Sequence, residues 1–274
     1  MNIDAIQHRI EPGTSFRHAL RVLCVLCLLW SQGTPAFGAR EFDGVDDELK
    51  KTSASAALTP SNNFSICIRV IPGTATDAHA DIMAHGSNYV LRWVPSTSRI
   101  QLFKHVSGNW VAAEWVYSAG QFQAGVQYSL CGVYRSTGTG VELYVNGESR
   151  ATAASTANFV YDQGSNFVIG KHGEGSSTFD YAGRAQDAVV YAGVLSVTAI
   201  ESYHAGAYPP SLGVVAGYWP LFGTSNPEPD WSGNGNHLTV SGAVRGDHLP
   251  RSGTPGVRMS SNRLPASMLH HPNN

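Results

Sequence analysis

The stretch Phe64-Ser65-Ile66-Cys67-Ile68-Arg69-Val70-Ile71-Pro72 alternates apolar with small or polar side chains, with Asn62-Asn63 before it and Pro72-Gly73 at its end. A period of two between turn residues is the pattern of a half-buried β-strand. Working outward, runs rich in β-branched and aromatic residues follow at 81–84, 89–94, 100–103, 110–117, 128–135, 141–146, 167–170 and 182–191. Pro95-Ser96-Thr97-Ser98, Ser107-Gly108-Asn109 and Asn146-Gly147 are among the turn signals that separate them. Many short strands so spaced, almost without helical periodicity, predict an all-β sandwich or barrel. One segment departs from this. Ser196 opens a stretch with Ala199, Ile200 and Tyr203 at helical spacing that ends at Gly206, which predicts one short helix near 196–205.

Composition bounds the rest. With 274 residues, 42% of them hydrophobic, the chain suits one large sandwich. Only 14% of residues are charged, against about 25% in typical domains, so the surface is polar without being ionic. A formal net charge of −2 leaves no concentration of Lys and Arg for nucleic acid or an anionic membrane.

At the N-terminus, Arg9, Arg17, His18 and Arg21 precede the apolar run Val22-Leu23-Cys24-Val25-Leu26-Cys27-Leu28-Leu29-Trp30, and Ala36-Phe37-Gly38 has small residues at the positions a signal peptidase reads. The expectation is a signal peptide over 1–38, a domain over 39–244 and a disordered tail over 245–274, with a secreted, extracellular or periplasmic location. An uncleaved anchor is the alternative, but a spanning helix needs about 20 apolar residues, so no membrane span is expected in the mature chain. Export would leave Cys67 and Cys131 as an even pair in an oxidising compartment. A disulfide between them and two buried thiols are both open readings.

In their order, these pieces resemble the laminin-G-like and pentraxin-like branch of the concanavalin A-like lectin and glucanase superfamily. Phe42-Asp43-Gly44-Val45-Asp46-Asp47 is similar to the family's opening strand and turn, Phe64 to Pro72 to a following strand, and Glu142-Leu143-Tyr144-Val145-Asn146-Gly147-Glu148 to its Leu-Tyr-Val-Asn-Gly hairpin. Asp187 to Ser196, followed by Ile200-Glu201-Ser202-Tyr203, is similar to the closing strand and helix. Two departures stand out. Arg69 occupies a position where the family often has Trp, and Asp230-Trp231-Ser232-Gly233-Asn234-Gly235-Asn236 follows the Phe-Asp-Gly strand instead of preceding it. The end strand is then supplied from the other terminus, since the termini of a sandwich often lie side by side. The resemblance implies a concanavalin A-like jelly roll of two antiparallel sheets.

It also implies candidate sites. Many members bind calcium near loop rims, and calcium takes six to eight oxygens from carboxylates, amides and carbonyls. Asp43, Asp46, Asp47, Asp230 and Asn234, with Asn236, are the cluster the fold would bring together; the competing reading is that Asp and Asn form turns through their own backbone. A sugar platform needs exposed aromatic faces with polar neighbours, and Trp93, Trp110, Trp115 and Tyr117 are the candidates, with Asn109, Arg92 and Glu114 nearby. The competing reading for each is core or sheet surface.

Catalysis is not expected. Glycoside hydrolysis needs two carboxyl groups about 5 to 9.5 Å apart, and laminarinase-like relatives carry Glu-x-Asp-x-x-Glu on a central strand. Glu41-Phe42-Asp43 begins that pattern, but Asp46 stands at its sixth position and the segment lies at the N-terminal edge. The functional expectation is a non-catalytic module that binds carbohydrate or a glycosylated surface. An extracellular protein-interaction module is the competing class, and a hydrolase the third.

Overall fold

The computed structural model describes residues 38–174 and 178–250. Every strand-like run in the sequence becomes a strand. In chain order the strands are β1 (Gly38–Asp43), β2 (Glu48–Lys51), β3 (Phe64–Pro72), β4 (Ala80–His85), β5 (Tyr89–Val94), β6 (Arg99–Val106), β7 (Asn109–Val116) and β8 (Tyr128–Tyr134). They continue as β9 (Gly140–Val145), β10 (Glu148–Ala154), β11 (Phe167–Ile169), β12 (Ala182–Tyr191), β13 (Val215–Trp219), β14 (Thr239–Ser241) and β15 (Val244–Asp247). A helix, α1 (Val197–His204), lies between β12 and β13. Its start is fixed as the sequence predicts: Ser196 Oγ accepts the Ala199 N–H at 3.1 Å.

The strands form two antiparallel sheets. The first runs β10-β9-β8-β3-β12-β1-β15, with β13 also pairing β12, and the second runs β14-β2-β11-β4-β5-β6-β7. Between them Ile66, Ile68, Val70, Leu91, Leu102, Leu130, Leu143 and Trp219 pack into one core. The architecture is the expected jelly-roll sandwich.

The first stretch read from the sequence proves different in one respect. β3 is a central strand between β8 and β12, and all nine of its residues are buried. Ile66, Ile68 and Val70 face the inter-sheet core, whereas Cys67 belongs to a second cluster on the outer face with Cys131, Tyr144, Val189, Ile200 and Tyr203. The helix α1 therefore covers the side of β3 that alternation alone assigns to solvent. Cys67 and Cys131 lie directly opposite on β3 and β8, and they are joined by a disulfide.

Arg69, also on this outer face, forms a buried ion pair with Asp187. Its Nη2 donates to the carbonyl of Tyr203 at 2.6 Å, and its guanidinium lies 4.5 Å from the centre of the Tyr203 ring. Asp187 sits at φ 52°, where β12 bulges against β3. The bulge turns its carboxylate toward Arg69, and Tyr218 Oη donates to the same carboxylate at 2.9 Å.

The terminal strands meet. β1 pairs with β12 on one side and with β15 on the other, Arg40 opposite Arg245. This corrects the boundary drawn at Val244. Arg245–Asp247 are strand, not tail, and Leu249 is buried beyond them. Of the expected signal peptide over 1–38, residues 1–37 lie outside the described residues, as does the remaining tail expectation over 251–274; Gly38, the last residue of that expected segment, is paired in β1 with Asp247 of β15.

Two strands carry little sequence signal. β10 (Glu-Ser-Arg-Ala-Thr-Ala-Ala) is an edge strand with mostly exposed side chains, so no apolar alternation marks it. The Asn146-Gly147 turn places it, since both residues take the positive φ of a tight hairpin, 55° and 83°. β2 is similarly polar and is set by pairing with β11 and β14. Among the described residues no helix is long and apolar enough to cross a membrane.

Candidate functional site

Among the described residues, no helix lies over the outer face of the second sheet. Inward positions of β5, β6 and β7 hold Leu91, Leu102 and Ala113, so the alternate residues Val90, Arg92, Phe103, Ala112 and Glu114 face outward. On this face lies a cleft of about 350 Å³ lined by Ser87, Val90, Arg92, Phe103, Trp110, His172 and Phe179.

Val90 and Phe103, paired across β5 and β6, form its floor. Trp110, 53% exposed, stands at the start of β7, and its Nε1–H donates to the carbonyl of Ser87 at 3.1 Å. One edge of the indole is thereby fixed while much of the ring stays open to solvent. The His105 ring lies 5.0 Å away, centre to centre.

Ser87 is held by its backbone. Its N–H donates to Gln163 O at 2.7 Å, and Asn88 reaches across to donate to Gly164 O at 2.8 Å and to accept from the Gln163 N–H at 3.0 Å. Gly86 makes this clamp possible, because a Cβ there would lie 2.1 Å from Gln163 O. Behind the loop, His85 is buried against Tyr89 and Tyr161. Burial lowers its pKa from the usual 6.5 to about 4.

Arg92 Nε and Nη2 donate to the two carboxylate oxygens of Asp81, the second at 3.1 Å. The guanidinium lies over the rings of Phe103 at 5.0 Å and Phe179 at 4.5 Å. Asp81 is completely buried; burial raises its pKa and the Arg92 contacts oppose that. His172 Nε2 lies 3.0 Å from Ser87 Oγ, and its Nδ1 accepts the Glu174 N–H at 3.1 Å.

The structure sorts the sequence-predicted aromatics. Trp110 alone of the four lines the cleft, with exposed Asn109 next to it at the β6–β7 hairpin. Trp93 is a core residue, 6% exposed, packed on Phe122 and donating its Nε1–H to Tyr117 Oη at 2.8 Å. Trp115 and Tyr117 are half-buried against the core, with the Arg150 guanidinium 5.3 Å from the Trp115 ring. Strand parity explains the split. Trp93 and Trp115 point inward with Leu91 and Ala113, and Trp110 points outward. Sequence reading missed Ser87, His172 and Phe179, which come from a turn and a loop without periodicity and meet only through the fold.

The proposed cation ligands fall into two groups. Asp43, Asp46 and Asp47 present carboxylate oxygens within 4.8 Å of one another. Burial raises the pKa of Asp47, and the charges of Asp43, Asp46 and Asp180 add to that, while a hydrogen bond from the Asp43 N–H at 2.7 Å opposes it. These three could supply oxygens to a cation. Asp230 is committed elsewhere: its carboxylate accepts from Tyr218 N, Ser232 N, Ser232 Oγ and Asn236 N at 2.8 to 3.0 Å, which folds its own loop. Asn234 donates to Ala216 O at 3.0 Å in the same loop. The neighbour of the Asp43–Asp47 turn is instead Gly242, where an added Cβ would lie 1.9 Å from Asp47 Oδ1.

A second hollow of about 340 Å³ lies between the end of β12 and residues 212–214. Its lining includes Tyr191, whose hydroxyl donates to Pro209 O at 3.0 Å, and Ser196, whose hydroxyl is occupied in capping α1.

The family model described as the concanavalin A-like lectin/glucanases superfamily, of laminin G type, matches residues 43–201, and the chain belongs to that family. A solved structure titled a putative carbohydrate binding protein from Bacteroides ovatus is similar in fold, with a TM-score of 0.62 and 18% identity over 80% of this chain and 62% of that one. The heptameric SAP-like pentraxin from Limulus polyphemus superposes with a TM-score of 0.54 and 14% identity, over 78% of this chain and 96% of that one. No curated protein matches the chain by sequence.

Proposed function

We propose that this domain is a non-catalytic, exported module that binds carbohydrate in the Trp110 cleft. One observation carries the reading: a largely exposed indole, fixed at its edge by Ser87 O, stands over an apolar floor with hydroxyl and guanidinium groups at its side. A pyranose presents the matching surface, one face of C–H groups ringed by hydroxyls. The printed description of the Bacteroides ovatus neighbour supports the class, and the Cys67–Cys131 disulfide supports an oxidising compartment. Among the described residues no carboxylate lines the cleft, which favours binding over hydrolysis.

The test is a glycan array followed by titration calorimetry on the purified protein and on Trp110→Ala. Glycan binding that weakens at least about tenfold in the variant, with melting unchanged, supports the reading. Absence of glycan binding, or binding indifferent to Trp110, overturns it and leaves the protein-interaction class.

A further inference from the structure

Resting on the carbohydrate reading, we propose that the cleft selects an uncharged sugar, and that Ser87 and Arg92 are the donors that determine this specificity. Among the described residues Arg92 is the only guanidinium lining the cleft, and its Nε–Nη2 edge, the edge that would grip a ligand carboxylate in a two-point clamp, is already occupied by both oxygens of buried Asp81. Phe103 and Phe179 hold the guanidinium plane in place. Neighbouring cations are also paired: Arg99 with Glu114 at 2.9 Å and Lys171 with Asp180 at 3.2 Å. An acidic sugar would meet a compensated guanidinium with a carboxylate directly behind it.

The hydrogen-bond directions give the second half. His172 Nδ1 accepts the Glu174 N–H, so the proton of the neutral ring sits on Nε2 and is donated to Ser87 Oγ. Ser87 Oγ has no other partner among the described residues, and its own O–H is left to donate into the cleft. Arg92 Nη1 likewise makes no hydrogen bond among the described residues. The cleft therefore offers two side-chain donors, with the net charge of the Arg92–Asp81 pair close to zero. Such a surface recognises acceptor oxygens of a neutral sugar, a hydroxyl, a ring oxygen or an acetamido carbonyl, without rewarding a carboxylate or sulfate.

The experiment is titration of the purified protein with matched neutral, sialylated, uronate-containing and sulfated glycans. The expected result is binding of neutral glycans at least tenfold tighter than their acidic counterparts, and an affinity that changes little from low to high salt, because no ion pair forms with the ligand. Ser87→Ala should weaken neutral binding by about tenfold, the worth of one hydrogen bond. Asp81→Asn, which releases the Arg92 charge, should narrow the gap by strengthening acidic binding; should that variant fail to fold, Ser87→Ala and the salt series on the parent decide. Acidic glycans bound as tightly as neutral ones, or salt-sensitive binding, overturn the charge argument and leave the carbohydrate reading standing. Binding indifferent to Ser87→Ala overturns its role as a donor. No glycan bound at all overturns both.

Discussion

The two outer faces of this sandwich differ in what lies over them. On the first sheet, α1 closes over β3 and β8, and the space beneath it is filled by a disulfide, several Tyr rings and the buried Arg69–Asp187 pair. On the second sheet no helix among the described residues covers β4 to β7, and the outward residues form a cleft with an exposed Trp. Both faces pair an Arg with an Asp and stack the guanidinium on an aromatic ring. On the closed face the pair is 3% and 7% exposed and ties the helix to the sheet through Tyr203 O. On the open face the arginine keeps 15% of its side chain accessible in the cleft. The same chemistry serves stability when covered and, in the proposed function, recognition when left open.

The comparison can be broken most severely at the closed face. Asp187→Ala leaves the Arg69 charge buried without a partner, and loss of one member of such a pair costs about 3 to 5 kcal/mol. Chemical denaturation should show that loss. Any protein that remains folded should bind cleft ligands as the parent does. A loss below about 1 kcal/mol would mean that Arg69 reaches solvent and the face is less closed than described.

Next in size is the disulfide. Replacing both Cys67 and Cys131 by Ser removes a link across a sequence separation of 64 residues, with an expected cost of about 2 to 4 kcal/mol. Melting curves with and without reductant check it. The parent should lose stability on reduction, and the double variant should be indifferent to reductant.

Behind the open face, His85 supplies a pH dependence. Its pKa is near 4 in the folded protein instead of 6.5, so between those values the unfolded chain binds a proton that the folded chain does not. Stability fully present above 6.5 is therefore lost as the pH falls toward 4, by up to about 3 kcal/mol at about 1.4 kcal/mol per unit. Burial raises the pKa values of Asp47, Asp81, Asp180 and Glu228, which works in the opposite direction. The contribution is isolated by comparing the parent with His85→Phe in urea titrations. The difference between them should shift in favour of the variant as the pH drops from 7 to 4, and a constant difference would show that His85 is hydrated.

The smallest expected change in stability is at the cleft itself. Trp110→Ala should alter stability by less than about 1 kcal/mol because the ring is half exposed, whereas Trp93→Ala, in the core, should cost about 3 to 5 kcal/mol. Thermal melts of the two variants side by side sharpen the distinction between platform and core. Equal losses would remove the reason for reading Trp110 as a recognition residue.

How far the sequence reaches is visible in particular residues. The runs of β-branched and aromatic residues gave the strands, Ser196 and Gly206 the ends of the helical stretch, and Asn146-Gly147 the hairpin, because each depends on local backbone preference and side-chain period. The order of the motifs was enough for the family. What lies over a sheet face is not a local property: alternation in β3 reads as half-buried, and only the docking of α1 turns Cys67 and Arg69 into interior residues. The same limit governs the site. Trp93, Trp110 and Trp115 look alike in a list of aromatics, and strand parity together with the position of the core separates them. Ser87, Arg92, His172 and Phe179 come from a turn, a strand and a loop spread over more than ninety positions, and no sequence period relates them. The Asp43 and Asp230 segments look like one cluster in the sequence. The fold seats one against Gly242 and folds the other around its own hydrogen bonds. Local preference, read from neighbours in the chain, determined the elements and the family; tertiary packing, which joins residues with no sequence relation, decided which face was closed, which tryptophan was left exposed and where the charges were cancelled.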